Sequence, residues 1–197
     1  MIKNIYVFDM GKVITKPSKL DKVYSAGEMK CSYLDFKTNF YHSKESDEVY
    51  KGLITDDEFF EFIRKTCGST KTVDELKKLY NLSKGGIYPD TIKLIQELKD
   101  SGNSVHLLSN LKQIDYDYLS SHMDLTLFDR LFLSFKLGMS KPHEDIYKYV
   151  IESLGTPDFY FFDDSLENIT AAKKLGIHAH QTTGEDIVKC LRRIRRM

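Results

Sequence analysis

The most informative stretch of this 197-residue chain is Ile5-Tyr6-Val7-Phe8-Asp9-Met10-Gly11. Four apolar residues that run directly into an acid and a glycine predict a buried strand over residues 5–8, followed by a turn. Asp9 is then expected at the carboxyl end of the strand, the edge at which open parallel sheets bind their ligands. A carboxylate there suits a covalent nucleophile toward a phosphoryl group, although an acid that only caps a turn would give the same pattern.

Three later segments carry polar residues that the same sheet edge would bring together: Leu107-Leu108-Ser109-Asn110, Ser140-Lys141-Pro142 and Phe161-Phe162-Asp163-Asp164-Ser165. The Ser109 hydroxyl and a main-chain N–H at Asn110 can hold a phosphate oxygen. Lys141 can place a positive charge against a phosphoryl group. The adjacent acids Asp163 and Asp164 repel each other unless a cation lies beside them, which indicates Mg²⁺. A double N-cap of the next helix is the alternative interpretation.

Strands and helices alternate from residue 88 onward. The pattern predicts strands over 104–108, 130–135, 159–162 and 177–181, and helices over 89–101, 143–154, 166–175 and 186–196. Such alternation predicts an α/β fold in which a parallel sheet carries helices on both faces, a Rossmann-like three-layer core.

Residues 16–86 have a different character, rich in Tyr, Phe and charged side chains and without a convincing strand. Two capping boxes, Thr55 to Glu58 and Thr72 to Glu75, mark helix starts in this region. We therefore expect a small inserted helical cap over residues 16–86, between the two parts of a core formed by residues 1–15 and 87–197.

Composition excludes several classes of partner. Lys+Arg and Asp+Glu number 29 each, so no overall field favours nucleic acid or an anionic membrane. No apolar run approaches the ~20 residues of a membrane span. The apolar N-terminal run is too short for a signal peptide, and three widely spaced cysteines suit reduced thiols, so we expect a cytoplasmic protein. The sequence gives no oligomeric state.

In this order and spacing, the four motifs resemble the haloacid dehalogenase-like (HAD) hydrolase superfamily over essentially the whole chain. Within it, Phe8-Asp9-x-Gly11-x-Val13-Ile14 resembles the helical-cap branch that includes bacterial glucose-1-phosphate phosphatases and epoxide hydrolase N-terminal phosphatase domains. The resemblance implies a phosphatase that removes phosphate from a small, sugar-phosphate-like metabolite through an aspartyl-phosphate. Asp9 would be the nucleophile, Ser109 and Asn110 would bind phosphate, and Lys141 would be the charge clamp.

The resemblance also implies a Mg²⁺ cofactor. Its ligands would be Asp9, the main-chain carbonyl of Gly11 and Asp164, with Asp163 beside them. The adjacent acid pair argues against dehalogenase chemistry, which needs no metal.

The chain departs from the family pattern at Gly11, where most family phosphatases carry a second Asp that acts as general acid and base. Lys12 is also unusual; it could donate a proton, contact phosphate or point into solvent. The alternative is therefore a catalytically weak or inactive phosphate- or partner-binding module. A dinucleotide-dependent oxidoreductase is disfavoured because no Gly-x-Gly-x-x-Gly turn follows the first strand. A phosphoacceptor of the response-regulator type would carry its acid pair early in the chain.

Overall fold

The computed structural model describes residues 3–194, and its centre is a five-stranded, wholly parallel sheet. The strands are β1 (Ile5–Phe8), β2 (Ser104–Ser109), β3 (Arg130–Leu133), β4 (Tyr160–Asp163) and β5 (His178–Gln181), in the spatial order β3-β2-β1-β4-β5. The predicted α/β class is confirmed. Phe8 lies opposite Leu107 of β2 and Phe162 of β4, so the residues that follow these positions emerge at one edge.

Five helices and no named strand occupy the chain between β1 and residue 87 in the described structure: α1 (Leu20–Ala26), α2 (Tyr33–His42), α3 (Lys44–Tyr50), α4 (Asp56–Thr66) and α5 (Val73–Leu82). Both predicted capping boxes are present, at Thr55 with Glu58 and at Thr72 with Glu75. These helices share a largely aromatic apolar cluster, which includes Phe36, Phe40, Phe59, Phe60 and Tyr80. We keep the name helical cap for residues 16–86; that they form a separate domain stays a prediction.

The entry and exit of the helical cap lie side by side. The Lys16 N–H donates to the Gly86 carbonyl at 2.8 Å, and the Tyr88 N–H donates to the Ile14 carbonyl at 2.8 Å. Because the two linkers are paired, the cap joins the core through a short double connection close to the end of β1.

The remaining helices cover both faces of the sheet: α6 (Pro89–Asp100), α7 (Gln113–His122), α8 (Ser134–Leu137), α9 (Glu144–Leu154), α10 (Leu166–Lys174) and α11 (Ile187–Ile194). Successive strand residues point to opposite faces. Phe8, Leu107 and Phe162 pack in one buried cluster with residues of α6 and α11. Val7, Leu108 and Phe161 pack in a second cluster with residues of α9 and α10. The three layers match the Rossmann-like core that the sequence predicts.

Some element bounds differ from the sequence-based prediction. The third strand ends at Leu133 rather than at 135, because Ser134 begins α8 and Gly138 ends it in a left-handed conformation (φ 69°). The fourth strand extends through Asp163, so this acid belongs to the ladder itself. The last helix is described to Ile194; Arg195 and Arg196, which the prediction included, lie outside the described residues.

Within residues 3–194, no helix combines the length and the apolar character needed to cross a membrane.

The cap and the core approach closely at Gly52, which we predict to be intolerant of a side chain. Gly52 has φ 67°, and a Cβ there would lie 2.2 Å from the Phe135 carbonyl oxygen of α8. Gly138 has φ 69° but open space around the Cβ position. Gly138→Ala should therefore lower the free energy of unfolding by about 1–2 kcal/mol, because the only penalty is a side chain in the left-handed conformation. Gly52→Ala should lower the free energy of unfolding by about 1–3 kcal/mol more than Gly138→Ala, because the backbone near Gly52 must move to make room for the methyl group.

Urea unfolding followed by circular dichroism tests this, since the chain has no Trp for fluorescence. Equal losses of unfolding free energy in Gly52→Ala and Gly138→Ala would show that the contact between Gly52 and Phe135 is not tight.

Candidate active site

The polar residues of all four motifs meet where the order of the strands reverses. In the order β3-β2-β1-β4-β5, the chain leaves β1 toward β2 on one side and later places β4 on the other. Asp9 follows β1 directly, and its N–H donates to the Phe162 carbonyl of β4 at 2.8 Å. Ligands of open α/β sheets bind at such a switch point, beyond the carboxyl ends of the strands. Asp9 and Asp163 therefore flank the expected ligand position.

Lys141 bridges these two acids from a loop that belongs to neither strand. Its Nζ donates to Asp9 Oδ1 at 2.7 Å, to Asp163 Oδ2 at 2.6 Å and to the Leu108 carbonyl at 3.0 Å. An ammonium group has three protons, so these acceptors use all of them. The Lys141 side chain is 1% exposed. Burial alone would lower the pKa of Lys141, but the charges of Asp163 and Asp9 outweigh it and hold that pKa above its usual value.

Asp9 has one carboxylate oxygen engaged and one open. Oδ1 accepts from Lys141 and also from the Ser109 hydroxyl at 2.9 Å. No group in residues 3–194 donates a hydrogen bond to Oδ2. Burial raises the pKa of Asp9 to about 6; Lys141 opposes the rise and Asp163 adds to it. Asp9 is thus ionised at neutral pH and presents an unengaged oxygen, as a nucleophile requires.

The two adjacent acids have different surroundings. Asp163 is completely buried, and Asn168 Nδ2 donates to both of its carboxylate oxygens at 3.0 and 2.9 Å. The Ser165 N–H donates to Asp163 Oδ1 at 2.8 Å. Asp164 instead forms an ion pair with Lys12, with Nζ 2.7 Å from Oδ2. Asp163 is therefore saturated with donors, whereas Asp164 has an oxygen to spare.

The carboxylates of Asp9, Asp163 and Asp164 form a cluster that fits a hard divalent cation. Each can offer one oxygen such that all three lie within 4.8 Å of one another. Lys141 and Lys12 neutralise two of the three negative charges, which leaves one to attract a cation. Oxygen donors from one or two carboxylates suit Mg²⁺. Asp164 has an oxygen without a hydrogen-bond donor for it, while Asp163 is held by its donors and the open oxygen of Asp9 is the one that suits a nucleophile.

Gly11 lies in the turn after β1, two residues from the nucleophile candidate. A Cβ at Gly11 would lie 3.7 Å from Asp9 Oδ2, an ordinary contact distance, and Gly11 is exposed. The position therefore has room for the acid that the family pattern places there. Lys12 follows with φ 58°, an uncommon value for a residue other than glycine, and its side chain is 56% exposed. Its carbonyl accepts from the Gly184 N–H at 2.8 Å, which fixes the turn.

Ser109 and Asn110 lie beside this cluster but use their side chains differently. Ser109 is buried and bonded to Asp9. The Asn110 side-chain amide forms two hydrogen bonds with the main chain of Lys141. Its Nδ2 donates to the Lys141 carbonyl at 2.8 Å, and the Lys141 N–H donates to its Oδ1 at 2.9 Å. The two motifs are therefore locked together. Phosphate binding by Ser109 and Asn110 stays a prediction, and at Asn110 it falls to the main chain.

Sequence reasoning missed Asn168, which holds the Asp163 carboxylate in place. A signal was available, because Asn168 stands three residues after the helix cap Ser165, the position from which a side chain reaches back over a helix N-terminus. Ser134 was also missed; its hydroxyl accepts from the Leu111 N–H at 3.0 Å. A serine at the end of an apolar strand gives no comparable signal.

An open cavity of about 630 Å³ adjoins the carboxylate cluster. Asp164 forms one wall, and the others come from β5, the turn after it and α11: His180, Gln181, Thr182, Thr183, Asp186, Lys189, Cys190, Arg193 and Ile194. Asp164 is thus reachable from solvent on this side of the sheet, whereas Asp163 is buried.

Three curated relatives resemble the chain. A drimenol cyclase from Aspergillus calidoustus is 31% identical over 146 residues, 70% of this chain, and the chain spans only 27% of that longer protein. A sesquiterpene phosphatase from Aspergillus oryzae is 27% identical, covering 87% of this chain and 85% of the relative. A D-ribitol-5-phosphate phosphatase from Bacteroides thetaiotaomicron is 28% identical, covering 92% of each.

Two solved structures share the fold. A HAD-like hydrolase from Porphyromonas gingivalis superimposes with a TM-score of 0.83 at 22% identity, covering 100% of both chains. A HAD family enzyme from Bacteroides thetaiotaomicron, in complex with magnesium and inorganic phosphate, gives a TM-score of 0.79 at 23% identity, covering 93% of this chain and 96% of that one.

The sequence model of the haloacid dehalogenase-like hydrolase family matches residues 4–176. This range includes all four motifs that resemble the family pattern. The chain therefore belongs to the haloacid dehalogenase-like hydrolase family.

Proposed function

We propose that the protein is a Mg²⁺-dependent phosphatase for a small phosphorylated metabolite, with Asp9 as the nucleophile. The observation that carries the proposal is the Asp9 carboxylate at the switch point of the sheet, with one oxygen held by Lys141 and Ser109 and the other open. The family of the chain is a hydrolase family, and two of its relatives carry names of phosphatases. Phosphate of a sugar or sugar-alcohol type is the substrate class we favour.

The residues of the chain divide the work of phosphoryl transfer. The open Oδ2 of Asp9 attacks phosphorus, the bond from phosphorus to the leaving oxygen breaks, and an aspartyl-phosphate forms. Water then attacks that phosphorus and releases phosphate and the free carboxylate. Lys141 stays beside the reacting carboxylate and stabilises the negative charge that accumulates, and Ser109 orients Asp9 through its hydroxyl. Mg²⁺, held by Asp9, the Gly11 carbonyl and Asp164, would neutralise phosphate charge.

The glycine at position 11 restricts the leaving group. General acid catalysis is typically worth ~10² to 10⁴ in rate, and here no side chain at that position supplies it. Positioning and charge neutralisation carry most of phosphoryl transfer, so turnover can persist. Good leaving groups, such as anomeric sugar phosphates and aryl phosphates, should be preferred.

A phosphate-binding module without turnover is the second candidate. Two observations favour it: the missing acid at Gly11 and the Lys12 ammonium, which already neutralises Asp164.

The direct test is hydrolysis of p-nitrophenyl phosphate, whose leaving group needs no general acid. We expect turnover with Mg²⁺, none with excess chelator, and a fall to background in Asp9→Asn, because the amide is not a nucleophile. Asp158→Asn is the matched control, since Asp158 is an exposed acid bonded to His178. Equal turnover in Asp9→Asn and the control would overturn the proposal. Phosphate binding without any turnover would support the binding module instead.

Restoring an acid at position 11 tests the leaving-group argument. Gly11→Asp should raise kcat on an alkyl phosphate such as glycerol 1-phosphate by about tenfold or more, through protonation of the alkoxide. It should change kcat on p-nitrophenyl phosphate much less. Gly11→Asn, of the same size but unable to transfer a proton, is the control. An equal change on both substrates, or the same gain from Asn, would contradict the argument.

A further inference from the structure

Lys112 is completely buried, and it has no part in the proposed reaction. Its side chain is 0% exposed, and its Nζ lies 3.1 Å from Tyr50 Oη, 3.3 Å from Tyr80 Oη and 3.3 Å from Asp115 Oδ2. Four rings of the helical cap surround the ammonium, with centroids 4.3 to 5.8 Å away: Phe40, Tyr50, Phe59 and Tyr80. A cation among ring faces is attracted by their quadrupoles, and more strongly when water is excluded.

The surroundings of Lys112 keep it charged. Asp115 accepts from Lys112 and also from the Tyr80 hydroxyl at 2.7 Å and from Lys84 at 3.1 Å. Burial would lower the pKa of Lys112, but Asp115 and the two tyrosines hold that pKa well above its usual value. A core cation thus sits inside the aromatic cluster of the helical cap.

The cap makes a second contact with the same part of the core. Asp56, at the start of α4, accepts a hydrogen bond from the Ile114 N–H of α7 at 2.7 Å. That N–H belongs to the first turn of α7, where a negative charge complements the helix dipole. Lys112 of the core therefore lies among the aromatic rings of the cap, and Asp56 of the cap caps the N-terminus of α7 in the core.

Both contacts act directly behind the residue proposed to bind phosphate. We name residues 109–112 the phosphate loop. Ser109 bonds to Asp9, the Asn110 side chain bonds to the main chain of Lys141, and the Leu111 N–H bonds to Ser134. Lys112, the last member, is held by the cap. The contact of the cap with Lys112 therefore lies three residues along the chain from Ser109.

We propose that Lys112 is a positioning residue that joins the helical cap to the phosphate loop, so that the seating of the cap sets the position of Ser109 at Asp9. This rests on the proposed function, because its consequence is phosphate affinity. Lys112 touches neither Asp9 nor the acid cluster in this arrangement. Its loss should therefore weaken phosphate binding and leave Mg²⁺ binding unchanged.

The test compares Lys112→Met with Phe59→Leu. The first removes the charge and leaves Asp115 with Lys84 and Tyr80; the second trims the same cage without touching a polar contact. Calorimetry measures binding of Mg²⁺ alone and of inorganic phosphate in the presence of Mg²⁺. We expect Lys112→Met to weaken phosphate binding about tenfold, since the loss of one hydrogen bond to a charged group lowers affinity by about that factor or more. Mg²⁺ affinity should not change in either variant, and Phe59→Leu should keep phosphate affinity.

Hydrogen exchange provides a readout that needs no ligand. The amides of Leu111 to Ile114 should exchange several-fold faster in Lys112→Met and at the original rate in Phe59→Leu. Tyr50→Phe, which keeps the ring and the buried charge but removes one acceptor, should show the same changes to a smaller degree, and it serves if Lys112→Met does not fold.

Equal effects of Lys112→Met and Phe59→Leu on phosphate affinity and exchange would overturn the inference, as would no effect of Lys112→Met. Failure of the unsubstituted protein to hydrolyse p-nitrophenyl phosphate would overturn the proposed function, and the exchange comparison would then decide separately whether Lys112 ties the cap to the loop.

Discussion

The Lys141 ammonium is the group on which the arrangement of the active site depends. Asp9 and Asp163 end neighbouring strands and would repel each other across a buried edge. Lys141 donates to both acids and to a carbonyl of a third strand, so that β1, β2 and β4 share one cation. A buried ion pair is a weak source of net stability, but removal of one member leaves an uncompensated charge at a cost of about 3–5 kcal/mol. The network therefore fixes the positions of the Asp9 and Asp163 carboxylates more than it stabilises the fold.

Position is what phosphoryl transfer needs. In the proposed reaction, Asp9 presents one oxygen while the other is held, and the hydrogen bonds of Ser109 and Lys141 to Oδ1 hold the second one. Asp163 is held by its donors, whereas Asp164 keeps an oxygen toward the cavity. Two acids that are adjacent in sequence thus have different surroundings, because successive residues at a strand end face different ways. The helical cap extends this control through the phosphate loop.

The sheet and the location of the site follow from local sequence signals. Apolar runs that end in Asp9, Ser109 and Asp163 predict strands whose carboxyl ends meet, and the capping boxes at Thr55 and Thr72 predict helices, because both signals depend on neighbours within a few residues. The bridge made by Lys141 has no such signal, since its loop follows no strand directly and its partners come from distant segments.

The burial of Lys112 is a clearer case of a contact that local sequence signals do not predict. In sequence it is a lysine in a polar loop, and nothing nearby indicates burial. Its environment is made by rings from residues 40–80, which only the packing of the cap against the core brings together. The division of labour between Asp163 and Asp164 also depends on Asn168 and Lys12, whose contacts span β4, α10 and the turn after β1.

The most direct measurement of the central claim is chemical trapping of the phosphoenzyme. Borohydride reduces an aspartyl-phosphate, but not a free carboxylate, to homoserine. The protein is mixed with p-nitrophenyl phosphate and Mg²⁺, quenched during turnover, reduced and digested for mass spectrometry. Homoserine at position 9 and at no other acid is the predicted result. Turnover with aspartate intact at position 9, or homoserine elsewhere, would contradict the assignment of Asp9 as the nucleophile.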